Sequence, residues 1–294
     1  MKISTIYDQG SALSQEDISY VSDHIFLVGD GVAPAFNSEH PLPKYNGITG
    51  NQLLIEAIRQ IIPSIKSTEP SEIFGTLNEE ARLLWTMHNL DSDQPAYLPG
   101  LTMSLMTVVK EEARFAAIGD ARFIVLTTEG EIIMSKDQVR KHDTEMYSLI
   151  ERFKREIANE KNVSLETVDA ETNKAITREM WLRFFDPMVQ ARNQRCNQPG
   201  WYGLLNGQMA AHSMLEVVTL ERKLVKKVIL CTDGAVPYHS TKNMTDTEIA
   251  DIIIGAYNTG GVNAVLNVAR YLEAAHSHKT HINMAEVTVV GIDF

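Results

Sequence analysis

The 294-residue chain is 44% hydrophobic and 22% charged, the balance of a folded globular protein and not of a disordered one, with length enough for a sizeable core. Its net charge of −11 carries no long like-charge run and argues against a nucleic-acid surface, which needs a basic stripe to neutralise phosphates. Cys196 and Cys231 belong to no Cys-x-x-Cys pair, "MKISTIYDQG" lacks a signal-peptide core, and no stretch reads as a membrane span, so a cytoplasmic protein without zinc ribbon, disulfide framework or membrane partner is expected.

The first clear element is a strand around residues 24–28, "HIFLV". A loop rich in Pro and Asn follows, then two helical stretches, "GNQLLIEAIRQIIPSI" and "TLNEEARLLWTMHNL", with apolar residues at the spacing of one helix face. Three β-like runs come next, "LTMSLMTVV", "ARFAAIG" and "RFIVLTTEGEII", whose short spacers suit antiparallel hairpins. Residues 140–195 read as helical and more polar, and the Met and aromatic residues of "EMWLRFFDPM" read as core or cover. Then "MLEVVTL" and "KKVILCTDG" return to strand. Two helices follow, the first capped at Thr245 or Asp246 and the second starting after Gly261, and "EVTVVGIDF" closes as a strand. Mixed elements with hairpin-like pairs and no linker indicate one α+β domain over residues 1–294, with a helical insertion or flap at roughly 140–198.

Three carboxylates stand just after apolar strands: Asp30 in "IFLVGDG", Asp120 in "RFAAIGDA" and Asp233 in "VILCTDG". Any one of them also reads as an ordinary turn or helix cap. Three together favour a shared site, because converging carboxylates repel unless something positive sits between them. A hard divalent cation, Mn²⁺ or Mg²⁺, answers that need with oxygen ligands. The histidines of "HSHKTH" (His276, His278, His281) have nothing in the sequence to complete a zinc site and read as solvated.

The order of these segments resembles the metal-dependent protein phosphatases of the PPM (type 2C) family. "GSALSQEDIS" approximates that family's early Gly and Asn-Glu-Asp element through Gly10, Gln15, Glu16 and Asp17. Asp30-Gly31 is similar to its metal-bridging Asp-Gly, Gly119-Asp120-Ala121-Arg122 to its Gly-Asp-Ser-Arg turn, and Thr232-Asp233-Gly234 to its Ser/Thr-Asp-Gly. The resemblance implies a four-layer αββα sandwich of two antiparallel sheets flanked by helices, with two divalent cations at one edge. It implies that Asp30 bridges both ions, that the Gly31 carbonyl binds one and Asp233 the other, and that Glu16 and Asp17 steady bound waters. Asp120 matches a third, weaker metal site. A metal-activated water then attacks the phosphorus of a phosphoserine or phosphothreonine in a protein substrate directly.

Two departures stand out. Ala12 replaces the family's phosphate-binding Arg, leaving Arg192 and Arg195 as candidates from another direction. Ala285 falls at the last metal-binding Asp, with Glu286 beside it as a substitute ligand. An active phosphatase is therefore set against a pseudophosphatase that binds a partner, and against a hydrolase of small phosphorylated metabolites.

Overall fold

The computed structural model describes residues 1–280 and 284–294, with the side chains of 275–280 excepted. In chain order the elements begin with β1 (Lys2–Asp8), β2 (Asp17–Val21), β3 (Ile25–Val32), the short pair β4 (Lys44–Tyr45) and β5 (Ile48–Thr49), and helices α1 (Gly50–Ile61) and α2 (Pro70–Met87). Strands β6 (Gly100–Val109), β7 (Glu112–Ile118), β8 (Arg122–Thr127) and β9 (Ile132–Met134) come next, then helices α3 (Arg140–Glu160), α4 (Ala170–Arg183) and α5 (Phe185–Arg195). After them come β10 (Glu216–Glu221), β11 (Val225–Cys231), the single turn α6 (Tyr238–Thr241), α7 (Asp246–Thr280) and β12 (Val287–Asp293).

The strands form two five-stranded antiparallel sheets, ordered β1-β12-β11-β8-β9 and β10-β7-β6-β3-β2. Successive strand residues face opposite ways, so a strand covered on both sides reads as one continuous apolar run. In β3, Phe26 and Val28 face the other sheet while Ile25 and Leu27 face α1 and α2. In β11, Val228 and Leu230 enter the inter-sheet layer while Ile229 and Cys231 pack under α7. Phe115 and Phe123, one from each sheet, meet there with ring centroids 5.3 Å apart. Helices on both outer faces complete the four layers that the resemblance implied.

Several boundaries differ from the sequence reading. β1 and β2 precede the first expected strand; their mixed exposure leaves no apolar run to announce them. β3 does not stop at Val28 but runs through Asp30 to Val32. β6–β7 is an expected hairpin, but the second one expected, across Gly119-Asp120, is not formed: β7 and β8 lie in different sheets, the chain crosses the sandwich there, and the run "RFIVLTTEGEII" is itself the hairpin β8–β9. α2 begins at Pro70, a residue suited to a first helical turn. The expected single run "ITREMWLRFFDPMVQARNQ" breaks at Phe184 into α4 and α5.

Thr245 caps α7 reciprocally with Glu248, and the helix is interrupted at Gly260–Gly261, where Gly261 has φ +65°. By length and composition, residues 246–274 are apolar enough to cross a membrane, contrary to the sequence reading. Their apolar side chains, Ile249, Ile253 and Val265 among them, are instead buried against the first sheet. The His276, His278 and His281 expectation lies outside the described side chains.

Candidate metal centre

At one end of the sandwich the inter-sheet layer changes from apolar to polar. Alternation carries the Phe26–Val28 face on to Asp30, whose cross-strand partners are Asp17 on β2 and Thr102 on β6. Paired residues share a face, so these side chains fill the same layer as Phe26 and Met106. The opposite sheet answers with Thr232 after β11 and Thr288 on β12. The Thr232 hydroxyl donates to Asp17 Oδ2 at 2.9 Å and accepts the Thr288 N–H at 3.0 Å, tying the two sheets together. Buried polar atoms without a protein partner collect here: Asp17 Oδ1, Asp120 Oδ1, and the hydroxyls of Thr102, Ser104 and Thr288.

Asp30 and Asp233 open into one cleft of about 320 Å³, shared with Ser11, Ala12, Met284, Ala285 and Glu286. No Lys or Arg lines it among the described residues. The glycines beside these carboxylates are fixed by space. A Cβ on Gly234 would stand 1.9 Å from the Glu286 carbonyl oxygen, and one on Gly31 would stand 2.8 Å from the Glu16 carbonyl oxygen. Gly31 donates its N–H to that same Glu16 oxygen at 2.8 Å, fixing β3 against the chain leading into β2. At the crossover, Gly119 has φ +82°, and a Cβ there would meet Thr102 Cγ2 at 2.4 Å.

The electrostatics are those of a carboxylate cluster lined by no Lys or Arg among the described residues. Asp30 is driven well above the usual carboxylate range by burial, then by the charges of Asp233, Asp17 and Asp120. Burial, reinforced by the Asp233 and Asp137 charges, pushes Asp120 to about 8. Asp233 rises to about 7 from burial and the Asp17 charge. Each keeps a partly exposed edge although protein surrounds it, which is how a ligand open to an incoming ion is placed. Asp17 is raised by burial, although the Thr232 bond opposes it.

Asp143, in the first turn of α3, rises to about 7 through burial and the charges of Asp120 and Asp137, so the helical segment brings a further acidic group toward Asp120. Sequence reasoning missed Asp143, because "RKHDTEMY" reads as an ordinary polar helix start.

The remaining expected residues are placed as follows. The Glu16 carboxylate turns toward α1, accepting from Thr49 Oγ1 at 2.7 Å and Asn51 Nδ2 at 2.6 Å. Glu286 lines the cleft with both oxygens engaged: Oε1 accepts from Tyr7 Oη at 2.6 Å and Oε2 from the Glu16 N–H at 2.9 Å. The Ala285 carbonyl is held by Arg270 Nη1 at 2.8 Å, and Arg270 also pairs with Asp8 and Glu273. Neither candidate phosphate-binding arginine lines the cleft. Arg192 donates to the Ala33 carbonyl at 2.9 Å, while Arg195 pairs with Glu145 at 2.7 Å and lies over Trp201.

A hard divalent cation fits this donor set: carboxylates facing one cleft, unpartnered carboxylate oxygens behind them, and no opposing charge among the described residues that line it. Among the described residues, no three His, Cys, Asp or Glu side chains already form a closed ligand set. Asp30 and Asp233 are the pair that meet in the cleft.

No family model matches the sequence, and no curated protein matches it. Solved structures do match in fold. The catalytic domain of the serine/threonine protein phosphatase PstP in complex with two manganese ions aligns over 99% of this chain and 97% of its own, at 15% identity and a TM-score of 0.52. Serine/threonine phosphatase Stp1 from Staphylococcus aureus aligns over 100% and 94%, at 12% identity and 0.52. PppA, a regulatory component of T6SS in Pseudomonas aeruginosa, aligns over 100% and 97%, at 14% identity and 0.50. With its two helix-flanked antiparallel sheets, the chain has the fold of the bacterial PPM-type serine/threonine phosphatases.

Proposed function

We propose that this protein is a metal-dependent phosphomonoester hydrolase acting on phosphoserine or phosphothreonine in proteins. The observation that carries the reading is the convergence of Asp30 and Asp233, from opposite sheets, on one cleft that no Lys or Arg lines among the described residues. Asp30, the Gly31 carbonyl and Asp233 would hold two cations, and Asp120 with Asp143 a third. When bound, the cations neutralise the phosphate and lower the pKa of a water that attacks phosphorus. The chain itself supplies position. Thr232 orients Asp17 behind Asp30, and the Tyr7–Glu286–Glu16 chain of hydrogen bonds sets the outer wall of the cleft.

The test is hydrolysis of a phosphoserine peptide with and without Mn²⁺. Activity should require the metal, and Asp30→Asn or Asp233→Asn should lower it by on the order of 100-fold or more, exceeding the loss typical of outer positions. Absence of Mn²⁺-stimulated turnover would sink the reading.

One observation favours a second reading, a pseudophosphatase that binds phosphoproteins without cleaving them. The cleft mouth has Ala12 and, among the described residues, no arginine, and both oxygens of Glu286 are committed to the protein. Calorimetry separates the two: two Mn²⁺ sites support the enzyme, and no binding supports the pseudophosphatase.

A further inference from the structure

Apart from the acidic cleft of about 320 Å³, the molecule has a groove of about 980 Å³ between the 33–38 loop and helices α4 and α5. One face of α4 forms a wall through Asn173, Lys174, Thr177, Arg178 and Trp181, at helical spacing. α5 adds Phe185, Met188, Val189 and Arg192 at the same spacing. Aromatic and Met residues of "EMWLRFFDPM" thus divide their duties: Met180 and Phe184 build the small core of the helical segment, while Trp181, Phe185 and Met188 also face the open groove.

The groove is built firmly. Arg192 Nη2 holds the Ala33 carbonyl at 2.9 Å, Asn37 Nδ2 holds the Trp181 carbonyl at 3.1 Å, and His40 stacks on Phe185 at 5.0 Å. The floor is apolar, and Phe36 on the loop is 51% exposed.

Charge identifies the occupant. In a chain of net charge −11, the only ionised residue types lining this groove among the described residues are cations: Lys174, Arg178 and Arg192. Lys174 and Arg178 are exposed and pair with no carboxylate among the described residues. An apolar floor with an unneutralised basic rim suits a segment carrying bulky apolar side chains followed by carboxylates.

Position links the groove to the chemistry. Its near wall starts at Ala33, three residues beyond Asp30 on the same chain, a separation of about 10 Å in extended backbone. The α4 wall from Ala170 to Trp181 is roughly 16 Å long, the span of about five extended residues.

We infer that this groove seats the phosphoprotein substrate itself, taking an extended apolar-acidic segment about three to eight residues from the phosphorylated side chain. The inference rests on the phosphatase reading for the identity of the bound protein, and a binding test without turnover separates the two.

Fluorescence anisotropy of the full chain, with Mn²⁺ omitted, uses three fluorescein-labelled peptides. The first places Leu, Phe and two Asp in that window on either side of a phosphoserine. The second has Gly and Ser there, and the third is the first without phosphate. The first should bind at least about tenfold tighter than the second, a difference of about 1.4 kcal/mol. The third should keep that advantage. Lys174→Glu with Arg178→Glu, and separately Phe36→Asp, should abolish it while the circular dichroism spectrum is unchanged. Equal binding of the first two peptides by the unmodified protein overturns the inference. So does a dimer in sedimentation velocity that the charge reversal dissociates, because the occupant is then a second copy. Failure of Mn²⁺-dependent hydrolysis with the anisotropy difference intact removes the phosphatase reading and leaves the groove in place.

Discussion

Thr232 is the residue through which the two sheets meet at the acidic end. Its hydroxyl satisfies one oxygen of Asp17 and the Thr288 N–H at once. Thr232→Val keeps the shape and removes both bonds, leaving two buried groups unpaired at about 1–3 kcal/mol each. Urea melting of this variant should therefore show a loss of about 2–6 kcal/mol. Mn²⁺ affinity by calorimetry should fall about 10–100-fold, since Asp17 then no longer backs Asp30 firmly. An unchanged affinity would mean that Asp17 plays no part in the site. Asp30, Asp120 and Asp233 were legible in the sequence because each breaks an apolar run beside a glycine or other small residue. Tyr7 and Asp143 were not, and Thr232 was visible only as the first residue of Thr232-Asp233-Gly234, not as the tie between sheets. Their neighbourhoods are ordinary, and only strand register and the seating of α3 carry them to the site.

At the scale of elements, legibility followed burial. Strands β3, β6, β11 and β12, covered on both faces, announce themselves as apolar runs. β1, an edge strand half open to solvent, carries no such signal, and neither does β2. Nothing local told β7 and β8 to part into different sheets; a short Gly-Asp spacer serves a hairpin or a crossover equally well. α1 shows how an element end contributes to the site. Thr49 and Gln52 form a reciprocal cap, and the same Thr49 hydroxyl donates to Glu16. Thr49→Ala should lower stability by about 1–2 kcal/mol in thermal melts. It should also leave Glu16 Oε1 with the Ser14 hydroxyl as its remaining donor; a stability loss below about 0.3 kcal/mol would show that the cap is idle.

For the whole molecule, the acidic end sets a conflict between folding and ionisation. Asp233 at about 7 and Asp120 at about 8 bind protons more tightly folded than unfolded, where carboxylates titrate near the usual value of 3.8. The native state therefore holds extra protons between about pH 4 and pH 8, and stability falls as pH rises through that window. Scanning calorimetry of metal-free protein should give a melting temperature that drops from about pH 5 to about pH 8. Mn²⁺ should reverse the trend, raising the melting temperature more at the alkaline end, because only ionised carboxylates bind it. Asp120→Asn should flatten the metal-free slope, and a slope equal to that of the unmodified chain would remove Asp120 from the cluster. The layer architecture was legible through the ordered set of motifs, whereas the groove was not, since its aromatic residues sit at the spacing of any buried helix face.

The Thr232–Thr288 bond has a bearing on how the protein comes into being. Asp30 is made early and Asp233 late, and the strand that braces them from behind, Val287–Asp293, is made later still and slots between β1 and β11. A chain emerging from the ribosome thus carries Asp30 for most of synthesis without the acidic cleft being formed. The cleft is complete only once residue 293 has been added and the sheet has closed around its newest strand.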